Sequence, residues 1–124
     1  MEIEKILVSD VVDLSSIKSF FASDKDSLIQ LIEVYLSDTT PRINTLEESL
    51  DKVDYKSVKS ITHFLKSSFG LMGISCLDEI ASLEKDADNN ENEEVIKQKL
   101  NIAIPICKDS ITEYSIILEK LKAL

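Results

Sequence analysis

Apolar residues recur along this chain at spacings of three and four, the period of a helix with one buried stripe rather than the alternation of a strand. Asp13 is placed to cap a short helix through about Ala22, with Leu14, Ile17, Phe20 and Phe21 as its apolar side. Ser23 or Asp24 can cap the next helix, whose stripe is Leu28, Ile32, Tyr35 or Leu36, Ile43, Leu46, Leu50 and Val53. Pro41 interrupts this segment, so a kink near Ser37 to Pro41, or two collinear pieces, is expected. Asp54 can cap a third helix, with Val58, Ile61, Leu65, Ser68 and Met72 on its apolar side and Gly73 as a left-handed stop. Ser75 to Asp78 resembles a capping box and opens a helix holding Leu77, Ile80 and Leu83. The polar run from Lys85 to Asn92 reads as a loop. A long last helix carries Ile96, Leu100, Ala103, Cys107, Ile111, Tyr114, Leu118 and Leu121 on one face, with Pro105 off it.

Four substantial amphipathic helices must bury their stripes against one another. The simplest solution is an all-α, antiparallel four-helix bundle with a short N-terminal cover helix. The length of 124 residues suits one domain over 1–124, with a core from about 10 to 122. Only 2 Gly and 2 Pro occur, too few for a fold built on many tight turns.

The formal net charge is −9, the reverse of the basic field a nucleic-acid binder needs, and it disfavours an anionic membrane surface too. Cys76 and Cys107 have neither metal-ligand spacing nor a disulfide framework and read as semi-buried thiols in a reducing compartment. The first ten residues lack the basic and apolar regions of a secretory signal, and no apolar run is long enough to span a bilayer. A cytoplasmic monomer is the expectation.

Against this background the single histidine stands out. On a helix at about 100° per residue, Lys56, Lys59, Ser60, Lys66, Ser67 and Gly70 fall within about 60° of His63. One imidazole therefore occupies an open face among lysines and small residues. An isolated exposed histidine would ordinarily have no role, and Lys56 and Lys59 would ordinarily belong to a solvated face; Gly70 equally suits a close helix approach. One His with two distant Cys does not make a metal site. A glycine-rich phosphate loop is absent. Hydrolysis needs a concave pocket and an oxyanion hole, which a convex helix face lacks. Covalent chemistry on the imidazole remains: it can take a phosphoryl group as a nucleophile, with Lys66 one turn on to pair with the oxygens and Lys59 one turn back to add to the field.

The run His63-Phe64-Leu65-Lys66-Ser67-Ser68-Phe69-Gly70-Leu71-Met72-Gly73 resembles the signature of histidine-containing phosphotransfer (HPt) domains: His, any residue, Leu, Lys, Gly, Ser or Ala, then a Gly ten residues after the His. Leu46 to Leu50 with Asp54-Tyr55, and Leu77 to Glu84, resemble the family's flanking segments. The resemblance implies a four-helix bundle that relays phosphoryl groups to or from aspartates of response-regulator receiver domains. It implies His63 as the phosphorylated residue, Lys66 as the group stabilising phosphohistidine, and an apolar surface around them that docks the receiver. Lys59, Ser67 and Gly70 would lie in that docking region. A receiver domain, a hybrid sensor histidine kinase or both are the implied partners. Magnesium would come from the receiver, with no cofactor held by this chain and no independent turnover. Ser67 departs from the pattern, which has Gly there. Glu84 or Lys85 falls nearest by count to the position from which the next helix often bonds the imidazole. Two other readings stay open: a docking or inhibitory module impaired in transfer, and an enzyme using His63 as acid or base beside a pocket.

Overall fold

The computed structural model describes residues 2–124; Met1, the first residue of the expected domain, lies outside them. Six helices follow in order: α1 (Glu2–Ile6), α2 (Ser15–Phe21), α3 (Lys25–Glu48), α4 (Tyr55–Met72), α5 (Leu77–Asp88) and α6 (Glu93–Lys122), with no strand among the described residues. Each of α3 to α6 packs on two others in a closed ring, α3 on α4 and α6, α5 on α4 and α6. The short connections at 49–54, 73–76 and 89–92 make sequential helices antiparallel neighbours. This is the expected bundle, with α2 laid over α3 and α4 as the cover. The pattern did not anticipate α1, which packs on α6; with Leu7 fully buried, the core reaches ahead of residue 10.

Helix starts follow the acidic caps. Asp24 accepts from the Ser27 amide at 3.0 Å and Asp54 from the Ser57 amide at 3.1 Å. These amide and hydroxyl donors hold both carboxyls below their usual range. Asp13 bonds the Ser15 amide at 3.0 Å, although the residue at the start of α2 is Leu14. Asn92 caps α6 through the Glu94 amide at 2.8 Å.

Other expectations are corrected. The Ser75–Asp78 capping box does not form; α5 starts after Cys76 with no side-chain cap. The expected loop from 85 is helical through Asp88, because Ala87 is buried and Asp86 and Asp88 find lysine partners. Pro41 neither breaks nor divides α3, which is assigned without interruption. Ser37 and Pro41 are both exposed, so water can take the carbonyl the proline leaves unpaired. Tyr35 rather than Leu36 is buried, Leu50 and Ile111 are only half-buried, and Phe20 points outward.

Buried polar groups tie the bundle across α6. Tyr35 Oη lies 2.7 Å from Ser110 Oγ, linking α3 to α6. Tyr114 Oη donates to the Met72 carbonyl at 2.5 Å, linking α6 to the end of α4. Gly73 then ends α4 at φ +70°. Its carbonyl accepts from the Asp13 amide at 2.9 Å, and a Cβ there would meet the Asp13 carbonyl at 1.8 Å. Only glycine fits this crossing of chain segments.

Candidate functional site: an exposed imidazole between two helices

The residues of α4 sort into three strips. Val58, Thr62, Leu65, Phe69 and Met72 face the core. Thr62 and Phe69 replace Ile61 and Ser68 of the expected stripe, which are half-buried, so the helix is turned on its axis by part of a turn from the expected setting. Thr62 tolerates burial because its hydroxyl donates to the Val58 carbonyl at 2.6 Å. His63 stands on the outer ridge with 73% of its side chain exposed.

The flank toward α5 is polar and internally paired. His63 Nδ1 lies 2.7 Å from Glu84 Oε2, and Lys66 Nζ lies 2.5 Å from Glu84 Oε1. One carboxylate thus bridges the imidazole and the lysine one turn on. Lys66 first, and His63 after it, hold the Glu84 carboxyl below its usual range. A carboxylate only accepts, so Nδ1 is the donor, which in the neutral ring leaves the lone pair on Nε2. Nε2 makes no hydrogen bond to any described residue. Of the two residues left open by sequence, Glu84 takes the position and Lys85 points to solvent. Lys59 pairs with Asp88 at 2.6 Å, and that bond raises its pKa. The field expected from three lysines is therefore largely compensated: Lys59 and Lys66 each already face a carboxylate.

The flank toward α3 is apolar and open. Leu31, Val34 and Tyr35 of α3 and Phe64, Ser67 and Leu71 of α4 line a groove of about 540 Å³ that reaches His63. The ridge beside the imidazole is thus not wholly convex, contrary to expectation. Arg42, the only arginine, stacks its guanidinium 3.7 Å from the Phe64 ring centre and donates to the Asp38 carbonyl at 2.7 Å. Sequence reasoning missed this lining. Phe64 sits about 100° from His63, just outside the face first considered, and that angle was the available signal.

The structure brings His63, Lys66 and Glu84 together and sets Ser67 in the groove. Lys59 stands apart on Asp88. Gly70 borders a different depression, beside Asp13 and Gly73. A Cβ at Gly70 would meet nothing within 4 Å, so none of the described helices approaches it closely. Among the described residues no group of three or more His, Cys, Asp or Glu is placed to hold a metal ion, and no helix is long and apolar enough to cross a membrane.

The fold and site together define a class of protein: a four-helix bundle that offers one carboxylate-bonded imidazole on an open ridge. A model of the Hpt domain family matches residues 30–113, and the chain belongs to that family. Membership brings the family's general role, histidine phosphotransfer in two-component phosphorelays. No curated protein and no solved structure matches the chain.

Proposed function

We propose that the protein is a phosphorelay carrier that takes a phosphoryl group on Nε2 of His63 and exchanges it with the aspartate of a response-regulator receiver domain. The observation that carries this reading is the 2.7 Å bond between Nδ1 and Glu84 on an otherwise exposed ring. In the neutral ring this bond favours the tautomer that leaves Nε2 free as the nucleophile.

In the forward step the Nε2 lone pair forms a bond to phosphorus while the bond from phosphorus to the aspartyl oxygen breaks. The receiver's aspartate leaves as a carboxylate, and magnesium supplied by the receiver would neutralise the charge that develops there. Positive charge develops on the ring, and Glu84 stabilises it through the Nδ1–H bond. Lys66 exchanges its contact with Glu84 for the new phosphoryl oxygens, a short move because it lies one turn along the same helix. The open groove beside Phe64 seats the partner, and Ser67 is the small residue over which it approaches. Lys59, paired with Asp88, and Gly70, on a separate depression, lie outside that groove. Transfer back to a receiver reverses each bond change, so the chain has no turnover of its own.

The test is transfer from a phosphorylated receiver domain with magnesium, wild type beside His63→Gln, read on a phosphate-affinity gel with an acid-lability check. An acid-labile phospho-form in wild type alone supports the carrier. Equal labelling of the variant removes His63 from the role. Binding of receivers without any transfer would instead identify a docking or inhibitory module.

A further inference from the structure

The site above leaves Cys76 and Cys107 unused. They are the only cysteines of the chain, and both are fully buried. Cys76 occupies the residue that precedes α5, and Cys107 lies in the middle of α6. Their sulfurs are 3.7 Å apart across 31 positions of sequence. That gap exceeds an S–S bond by about 1.7 Å, within reach of rotating two unbranched side chains. The Cys76 side chain makes no cap on α5 and turns inward onto Cys107.

Buried thiols in apolar surroundings are ordinarily inert. Two features set this pair apart. The Cys107 thiol beside Cys76 holds the Cys76 pKa below the usual range, and the start of α5 favours a thiolate as well. The contact with Cys76, and then burial, push the Cys107 thiol up, so of the two sulfurs Cys76 is the one that gives up its proton more readily. The second feature is a depression beside the pair. Gly73, Ile74, Ser75 and Leu77, on either side of Cys76 in sequence, line a surface depression of about 490 Å³, while Cys76 itself is buried and does not line it.

We propose that Cys76 and Cys107 form an oxidisable pair that hydrogen peroxide converts to an intramolecular disulfide joining the start of α5 to the middle of α6. The Cys76 thiolate attacks one peroxide oxygen; an S–O bond forms, the O–O bond breaks, and the hydroxide released takes up the proton from Cys107. The Cys107 sulfur then attacks the sulfenic sulfur; the S–S bond forms and the oxygen leaves as hydroxide, which becomes water with the proton that Cys76 had released on ionising. In sum, two thiols and one peroxide give one disulfide and two waters. The bridge constrains the helix that carries Glu84, two turns on from Cys76.

The test treats the folded full chain with hydrogen peroxide, followed by intact mass and peptide mapping without reductant. The expected product is a monomer lighter by two hydrogens, with a peptide joining Cys76 to Cys107, a raised melting temperature, and full reversal by dithiothreitol. In Cys107→Ala the reaction stops at a Cys76 sulfenic acid that dimedone traps; in Cys76→Ala, Cys107 reacts about tenfold more slowly or less. Oxygen adducts or intermolecular dimers in place of the bridge would overturn the proposal. So would a bridge that forms only after unfolding in urea.

Discussion

The two flanks of His63 are built on opposite principles. Toward α5, the charged groups around the imidazole are paired inside the chain: Glu84 holds both His63 and Lys66, and Asp88 holds Lys59. Toward α3, apolar side chains line an open groove, and Phe64 and Val34 remain exposed at 40% and 55%. The first flank is finished within the molecule and sets the state of the ring. The second is unfinished and has surface to offer a second protein. Chemistry and recognition are thus separated by the width of one helix, and substitutions on either side should alter different quantities.

The largest effect is expected on the ridge itself. His63→Gln should drop phosphoryl acceptance to the assay floor, roughly a hundredfold or more. Its melting temperature should stay within about 1 °C of wild type, because an exposed side chain leaves no cavity. A melt lowered by several degrees would mean that the ring supports the fold.

On the α5 flank, Glu84→Gln should slow phosphorylation by a small donor such as phosphoramidate by about tenfold or more, with receiver affinity unchanged. Using a small donor keeps docking out of the measurement. The same carboxylate carries a pH signature. Its pKa is lowered from 4.5 in the folded state, so its contribution to stability is complete above 4.5 and is lost as pH falls through the lower folded value. The stability difference between wild type and Glu84→Gln should therefore shrink on acidification below 4.5. A difference that held constant there would show that the Lys66 and His63 contacts do not depend on ionised Glu84.

On the α3 flank, Phe64→Ala should weaken receiver binding by roughly tenfold, about 1.4 kcal/mol, while phosphorylation by the small donor stays at the wild-type rate. Part of that loss comes from freeing Arg42, whose stack on the ring is worth roughly 0.5–1 kcal/mol at such a site. If Phe64→Ala slowed the small donor as much as Glu84→Gln does, the separation of the two flanks would fail.

The bundle was legible in the sequence because its apolar spacing sustains one stripe per helix, and spacing alone decides that. What spacing does not decide is rotation about the helix axis. Ile61 and Ser68 fit the α4 stripe as well as Thr62 and Phe69 do, and only packing against α5 and α3 selects the latter. The same ignorance of rotation hid the groove, since Phe64, Ser68 and Leu71 lie on the side the stripe turned away from. Polarity misled at the end of α5, where Asp86 and Asp88 look like loop residues until Lys99 and Lys59 come from other helices to meet them. Glu84 and Lys85 were indistinguishable by count because the register between α4 and α5 is a tertiary quantity. His63 and Lys66, by contrast, sit one turn apart on a single helix, so local geometry alone makes them neighbours.

The smallest expected effect sharpens the boundary between the flanks. Ser67 lies on the groove side, exposed, one turn from His63, and its hydroxyl makes no hydrogen bond to any described residue. Its side chain is surface that an incoming partner must clear. Ser67→Gly removes that obstacle at the cost of helix propensity, roughly 0.5 kcal/mol of stability in an exposed helical position. Receiver-dependent transfer should rise by a few-fold, below about tenfold, since one hydroxymethyl group is worth no more than that at the edge of a contact. The small donor should not respond, because it does not press against the groove. A rise with both donors would place Ser67 in the chemistry of the ring, and a fall with the receiver alone would make its hydroxyl a contact that the partner uses.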